Sequence, residues 1–161
     1  MLSIKKFAQA TTSQNNKLKF LFLIPMVPWL VGTMLPAFIE QNGEGSVWTG
    51  GTSFMTGAMF CWMPIHPGII AWWANIAIAW SWLECFKIRN KKTAPILAGL
   101  AIGLSFIPFF VDQMPFGIEG KPINVTLGPA VYFWVGAMVV NFFVTLYVSR
   151  KVVRTPVVEV S

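Results

Sequence analysis

Long apolar runs, each close to the length of a membrane-spanning helix, dominate this sequence and restrict the folds open to it. The first is LKFLFLIPMVPWLVGTMLPAF, residues 18–38, and a helix needs about 20 apolar residues to cross a bilayer. Charged residues make up only 11% of the chain, against about 25% in soluble proteins. A soluble protein needs more surface charge to stay dissolved, and a disordered chain has fewer apolar residues. The sequence therefore predicts a multi-pass integral membrane protein.

The expected fold class is an all-α bundle of four transmembrane helices within residues 18–149. The predicted spans are residues 18–38, 67–86, 93–111 and 127–149. Prolines interrupt the long apolar stretch before the second span, so residues 53–66 are predicted to form a short helix that lies in the interface or re-enters the membrane. That helix belongs to an outer segment, residues 39–66. Residues 1–17 and 150–161 are predicted to be terminal tails.

Basic residues lie in clusters between the apolar runs, which predicts the orientation of the helices. Eleven of the 12 Lys and Arg residues fall into three groups: Lys5, Lys6, Lys17 and Lys19; Lys87, Arg89, Lys91 and Lys92; Arg150, Lys151 and Arg154. Basic residues that flank spans stay on the cytoplasmic side, so both tails are predicted to be cytoplasmic. Since the basic groups form no single patch, the net charge of +6 does not indicate a nucleic-acid partner.

Ionisable residues are absent from the middle of the predicted spans, although such residues mark proton relays and substrate pathways in membrane proteins. His66 is the only histidine and lies at the predicted outer bend, without nearby residues at metal-ligand spacing. Glu84 lies near the inner end of the second span, where it can pair with Lys87 in the headgroup region. The sequence also lacks a phosphate-binding loop, a nucleophile elbow and a CxxC pair. No catalytic residue, metal or cofactor is therefore predicted.

Two asparagines are the clearest polar residues inside the apolar spans. Asn75 in the second span and Asn141 in the fourth are predicted to lie within one or two helical turns of each other in depth. We expect them to hydrogen-bond between helices, and the alternative is a polar lining for a ligand cavity. Gly99 and Gly103 form a G-x-x-x-G pair in the third span, which permits close helix packing inside the bundle or against another chain.

The expected function is that of a small non-enzymatic subunit or accessory protein of a larger membrane complex. The chain leaves little outside the bilayer and carries no recognisable catalytic motif. The first alternative is a small carrier or pore for a neutral or apolar solute, lined by Asn75, Asn141 and His66. A weaker alternative is a membrane enzyme that acts on lipid or quinone through His66 and Glu84, although these residues are predicted at opposite faces. The expected partners are the lipid bilayer, which is the plasma or inner membrane if the chain is bacterial, and a larger membrane protein or a second copy.

Overall fold

The computed structural model describes residues 17–41, 47–60, 67–86, 92–114 and 122–151. Helices account for most of these residues: α1 (Leu23–Met34), α2 (Gly50–Phe60), α3 (Pro67–Phe86), α4 (Thr93–Ser105) and α5 (Pro129–Lys151). Two 3-10 turns, Phe20–Phe22 and Ile107–Phe110, precede α1 and follow α4. His66 lies outside the described residues.

Three helical stretches in the described part of the chain are long and apolar enough to cross a membrane. They are Lys17–Met34, Thr93–Phe110 and Pro129–Lys151, and they correspond to the predicted first, third and fourth spans. The predicted second span, residues 67–86, is the helix α3 with the same bounds, but it is not one of these three. The structure thus confirms a mostly helical protein with apolar helices of spanning length.

Four short strands of the described chain form an antiparallel sheet, which the sequence did not predict. The strands are β1 (Pro36–Glu40), β2 (Val47–Thr49), β3 (Gln113–Met114) and β4 (Ile123–Leu127), and their order in the sheet is β2-β1-β4-β3. β1 and β4 pair through Phe38 with Leu127 and Ile39 with Thr126. Aromatic and β-branched residues at these positions favour strands, but glycines and acids nearby indicated loops. The all-α fold class is therefore corrected to a helical bundle with a small sheet.

The helix of the first span also ends before the end of the apolar run, residues 18–38, that predicted it. The helix ends at Met34, and the backbone of Leu35 is extended, with φ −92° and ψ 159°. The ring of the following residue, Pro36, disfavours the helical conformation at Leu35. The last residues of the apolar run consequently enter β1 rather than a fourth turn of α1.

The sheet and the basic residues lie at opposite ends of the bundle. α1 and α4 lead into β1 and β3, whereas α5 begins after β4. α3 runs antiparallel to α4, because Cys85 near its end shares a buried cluster with Ala94 at the start of α4, and α3 also contacts the 3-10 turn that follows α4. The basic residues of the described chain, Lys17, Lys19, Lys92, Arg150 and Lys151, occur at the far ends of these helices. We call the two ends of the bundle the sheet end and the basic end.

Small side chains allow the long helices to pack closely. α3 packs most extensively against α4, and α5 contacts both α1 and α4. The buried residues of α4 are Ala94, Ala98, Ala101 and Ser105. The G-x-x-x-G pair lies beside this row: a methyl group added at Gly99 would make only an ordinary contact with Phe142, and one at Gly103 would meet nothing within 4 Å. Alanines rather than this glycine pair therefore form the buried face of α4.

The short helix α2 fills the gap between α1 and α3 at the sheet end. Two of its glycines approach other elements closely. A Cβ atom at Gly50 would overlap the carbonyl oxygen of Gly32 on α1, and a Cβ atom at Gly57 would overlap the ring of Trp72 on α3. The Gly50 amide also donates a hydrogen bond to the Leu35 carbonyl oxygen at 2.8 Å. These contacts place α2 directly against α1 and α3.

Gly57→Ala tests the close contact between α2 and α3. The added methyl group would collide with the Trp72 ring, so we expect the free energy of unfolding to fall by about 1–3 kcal/mol, as is usual for overpacked cores. The control is Gly136→Ala on α5, where an added methyl group meets nothing within 4 Å and a gain of about 0.5–1 kcal/mol is expected. Thermal unfolding in detergent, followed by circular dichroism, measures both. Equal unfolding midpoints for Gly57→Ala and Gly136→Ala would contradict the close contact between Gly57 and Trp72.

Candidate functional site: an indole-lined cavity at the sheet end

Asn75 is the hydrogen-bonding centre of the sheet half of the bundle. The indole Nε1–H groups of Trp29 on α1 and Trp134 on α5 both donate to Asn75 Oδ1, each at 3.1 Å. The amide Nδ2 of Asn75 donates to the carbonyl oxygen of Trp72 at 3.1 Å, one turn earlier on α3. One asparagine side chain thus connects α1, α3 and α5.

Asn141 makes a second interhelical connection nearer the basic end. Its side chain is fully buried, and its Oδ1 accepts a hydrogen bond from Trp82 Nε1 on α3. Its Nδ2 donates to Ser81 Oγ at 3.5 Å. The two asparagines therefore have separate tryptophan partners, and both link α3 to α5.

Glu84 lies away from both asparagines. Its Oε1 accepts a hydrogen bond from Trp80 Nε1 at 3.1 Å, one turn earlier on the same helix. Trp80 is 54% exposed, so this indole–carboxylate pair lies on the outward side of α3. The other residue of the enzyme hypothesis, His66, is outside the described residues. Within the described part of the chain, no group of three His, Cys, Asp or Glu side chains is placed to hold a metal ion.

A cavity of about 80 Å³ lies beneath α2, beside the sheet. Its walls come from α1, α2, α3, α5 and β1. The lining residues are Trp29, Gly32, Thr33, Ala37, Phe38, Gly50, Ser53, Phe54, Gly68, Trp72, Asn75, Pro108, Ala130, Val131 and Trp134. The volume exceeds the ~10–15 Å³ that one water molecule requires by several fold. The cavity therefore has room for a few waters or for a small part of an organic molecule.

Aromatic rings line one side of this cavity. The ring of Phe54 on α2 meets Trp29 edge to face, with centroids 5.4 Å apart and an interplanar angle of 89°. On its other side Phe54 packs against Trp72, with centroids 5.8 Å apart. Offset and edge-to-face pairs of this kind are favourable. The row of three rings joins α1, α2 and α3 and gives the cavity a largely apolar wall.

Two buried polar atoms in the cavity lining have no hydrogen-bond partner among the described residues. They are Ser53 Oγ on α2 and Trp72 Nε1 on α3. Another such atom, Thr145 Oγ1 on α5, is not part of the lining. A buried polar group without a partner costs about 1–3 kcal/mol, so these two atoms favour an occupant that supplies hydrogen bonds. The indole requires an acceptor, and the hydroxyl can donate or accept.

The described lining of the cavity offers hydrogen bonds and apolar contacts. No acid, base or thiol occurs among its lining residues within the described chain. Among the residues that the structure describes, none supplies a base to the Ser53 hydroxyl that could activate it as a nucleophile. An uncharged molecule with an acceptor oxygen matches this lining best, because the walls provide indole and hydroxyl donors and no compensating charge.

The sequence did not identify the indoles as partners of the asparagines. Tryptophans in spanning helices are expected in belts near the two membrane surfaces, and this rule would place Trp82, four residues before the end of the predicted second span, at the inner interface. In the structure, Trp82 points to Asn141 inside the bundle. A signal was present, because a buried indole N–H needs an acceptor and the spans contain only two asparagines. Ser53 had no comparable signal.

Comparison with known proteins gives no relative. No protein-family model matches this sequence, and no curated protein and no solved structure is similar to it. The function must therefore be argued from the residues of this chain.

A double-mutant cycle between Asn75 and Trp134 tests the hydrogen-bonding centre. Asn75→Leu leaves two indole N–H groups without an acceptor, so we expect the free energy of unfolding to fall by about 1–3 kcal/mol. Trp134→Phe should cost less in the Asn75→Leu background than in the wild type, because the hydrogen bond is already lost. Unfolding in detergent measures the coupling.

Trp72→Phe is the matched control for this cycle. The Trp72 indole N–H makes no hydrogen bond within the described chain. A cycle of Trp72→Phe with Asn75→Leu should therefore show no coupling energy from a lost side-chain hydrogen bond. Additive effects of Asn75→Leu and Trp134→Phe would argue against the shared bond.

Proposed function

We propose that this chain is an integral membrane protein with four spans and with both termini in the cytoplasm. α3 supplies the additional span. It has 20 residues, about 30 Å of helix, and it packs along α4 for much of its length. α1 and α4 then run toward the sheet, and α3 and α5 run away from it. This alternation supports a bundle that crosses the bilayer four times. The basic residues of the described chain collect at the end opposite the sheet, as expected of the cytoplasmic side.

We further propose that the protein is a non-catalytic subunit that docks on a spanning helix of a larger membrane protein. The observation that carries this proposal is the outward face of α3. It consists of Ile70, Trp73, Ile76, Trp80 and Leu83, which are 37–65% exposed. These residues recur every three or four positions and therefore form one stripe along the helix.

The depth of the two tryptophans distinguishes this stripe from an ordinary lipid-facing surface. Trp73 and Trp80 each lie six residues inside the ends of α3, about 9 Å along the axis. Exposed indoles prefer the membrane interfaces. On α5, by contrast, the exposed Tyr132 and Tyr147 lie within four residues of its ends, as an aromatic belt requires. Trp73 and Trp80 are exposed on α3 at a depth where acyl chains would surround them. Contact with the surface of another protein suits these indoles better than contact with acyl chains.

Polar groups on the stripe support the same partner. The Trp80–Glu84 hydrogen bond brings a carboxylate and an indole to the outward side of α3 about one turn from its end. Glu84 lies two residues before the end of α3, so its carboxylate would meet the partner close to the headgroup region. A helix of the partner would cover this pair together with Trp73.

Trp73→Leu combined with Trp80→Leu tests the docking face. We expect the double variant to lose the partner in a pull-down from native membranes in mild detergent, because the indole contacts disappear while leucine remains compatible with lipid. Native mass spectrometry of the purified material measures the stoichiometry. The folding of the variant should be unchanged, since both side chains point outward.

Tyr132→Leu combined with Phe143→Leu is the matched control, because it removes two exposed aromatic rings from α5. It should retain the partner. The docking proposal would be overturned by a wild-type protein that purifies without a stoichiometric partner, or by equal loss of the partner in both double variants.

A second candidate function, binding or carriage of a small neutral solute, is favoured by the cavity. Its specific support is the pair of atoms without a partner among the described residues, Ser53 Oγ and Trp72 Nε1, within a largely apolar lining. A solute with a carbonyl oxygen would accept hydrogen bonds from both. A continuous pore is less well supported, because the middle of the bundle is filled by Ala74, Ala101 and Met138, each fully buried.

Cyclopentanone and its hydrocarbon analogue methylcyclopentane test the second candidate. We expect the ketone to raise the thermal midpoint of the purified protein more than the hydrocarbon does, because a ligand that binds only the folded state stabilises it. Ser53→Ala combined with Trp72→Phe should abolish this difference. Thr33→Val is the control, because the Thr33 hydroxyl lines the cavity but already donates to Leu30. Equal shifts with both solutes in the wild type would contradict hydrogen bonding to the ketone, and the absence of a shift with either solute would indicate a cavity that holds only water.

A further inference from the structure

A groove at the basic end separates the start of the first helical stretch from the end of α5. It has a volume of about 530 Å³ and is lined by Lys17, Leu18, Leu21, Phe143, Val144 and Tyr147. It is far from the indole-lined cavity, and it shares no lining residue with it. Neither proposed function uses this groove.

Both walls of the groove change from apolar to polar in the same direction. On one wall, Leu21 lies one helical turn deeper in the bundle than Lys17. On the other wall, Phe143 lies one turn deeper than Tyr147. One turn corresponds to about 5–6 Å along the helix axis. The groove therefore has an apolar lower part and a polar rim at the same level on both sides.

The rim carries positive charge from two helices. Lys17 contributes from the first helix, and Lys151 Nζ lies 6.0 Å from the centre of the Tyr147 ring, within the range of a cation–π interaction. Lys151 does not itself line the groove, but this contact keeps its ammonium group beside Tyr147, which does. Among the described residues, no acid lines the groove: Glu40 and Asp112 are in the sheet-end segments, and Glu84 is on α3.

We propose that this groove binds one anionic phospholipid of the cytoplasmic leaflet. The two ammonium groups and the Tyr147 hydroxyl would bind the phosphate, and Leu21 and Phe143 would contact the first methylene groups of an acyl chain. Basic pockets between spanning helices on the cytoplasmic side bind anionic headgroups in this manner. The site rests on the proposed four-span topology, but not on the docking partner or on the solute cavity.

Native mass spectrometry of the purified full-length chain tests the site without any partner. The protein in detergent is titrated with phosphatidylglycerol and, separately, with phosphatidylcholine of the same acyl chains. We expect a first phosphatidylglycerol adduct at clearly lower lipid concentration. Lys17→Gln combined with Lys151→Gln should weaken that adduct by about 10- to 30-fold, since each basic residue near an anionic surface contributes to binding. The phosphatidylcholine adducts should not change.

Lys92→Gln combined with Arg150→Gln is the matched control. It removes the same charge from the same end of the bundle, but neither residue lines the groove as Lys17 does, and neither is the cation that lies beside Tyr147, so the first adduct should persist. Glycerol 3-phosphate should compete poorly, because it lacks the acyl chain that the lower wall contacts. Equal losses in both double variants would overturn the site in favour of general charge attraction, as would a wild type without preference for the anionic lipid. A chain that binds neither lipid would likewise overturn the site, but it would leave the four-span proposal standing, because a bundle can span the bilayer without a specific lipid.

Discussion

Inside a bilayer, a polar side chain has no water to bind and must find its hydrogen-bond partners within the protein. Asn75 satisfies this constraint with one carbonyl oxygen, to which Trp29 and Trp134 both donate. The relative depth and rotation of α1, α3 and α5 at the sheet end are consequently coupled through a single side chain. Each bond of this type contributes modestly in membrane proteins, about 0.6 kcal/mol. The cost of leaving an indole N–H unpaired is larger, so the arrangement disfavours other rotations of these helices.

The small sheet and α2 follow from the way in which the helices end. Leu35 is extended because Pro36 follows it, so the chain leaves α1 as a strand and pairs with β4 before α5 begins. β2 then leads directly into α2, which lies across the gap between α1 and α3 and contacts Trp72 through Gly57. Since Phe54 meets rings on both sides, the gap closes around aromatic side chains that cannot fill it completely. The indole-lined cavity is the space that remains.

The two ends of the bundle differ in chemistry, and the proposed sites reflect this difference. The sheet end presents uncharged indole and hydroxyl donors around an apolar space, which suits a neutral molecule with an acceptor oxygen. The basic end presents ammonium groups above an apolar groove, which suits a negatively charged lipid. The outward face of α3 lies between them, and its deep tryptophans suit a protein helix. The protein thus offers three surfaces that differ in charge and polarity.

The sequence by itself determined the membrane class, the positions of the apolar helices and the segregation of basic residues from the sheet end, because hydropathy and charge add up along consecutive residues. It did not determine the sheet, since strand pairing depends on segments far apart in the chain. Nor did it determine the tryptophan partners of Asn75, which are 46 and 59 positions away. Such partners depend on how each helix is rotated and how deep it lies. Only the packed tertiary structure sets those quantities, and with them the unpaired atoms of Ser53 and Trp72 and the groove beside Lys151.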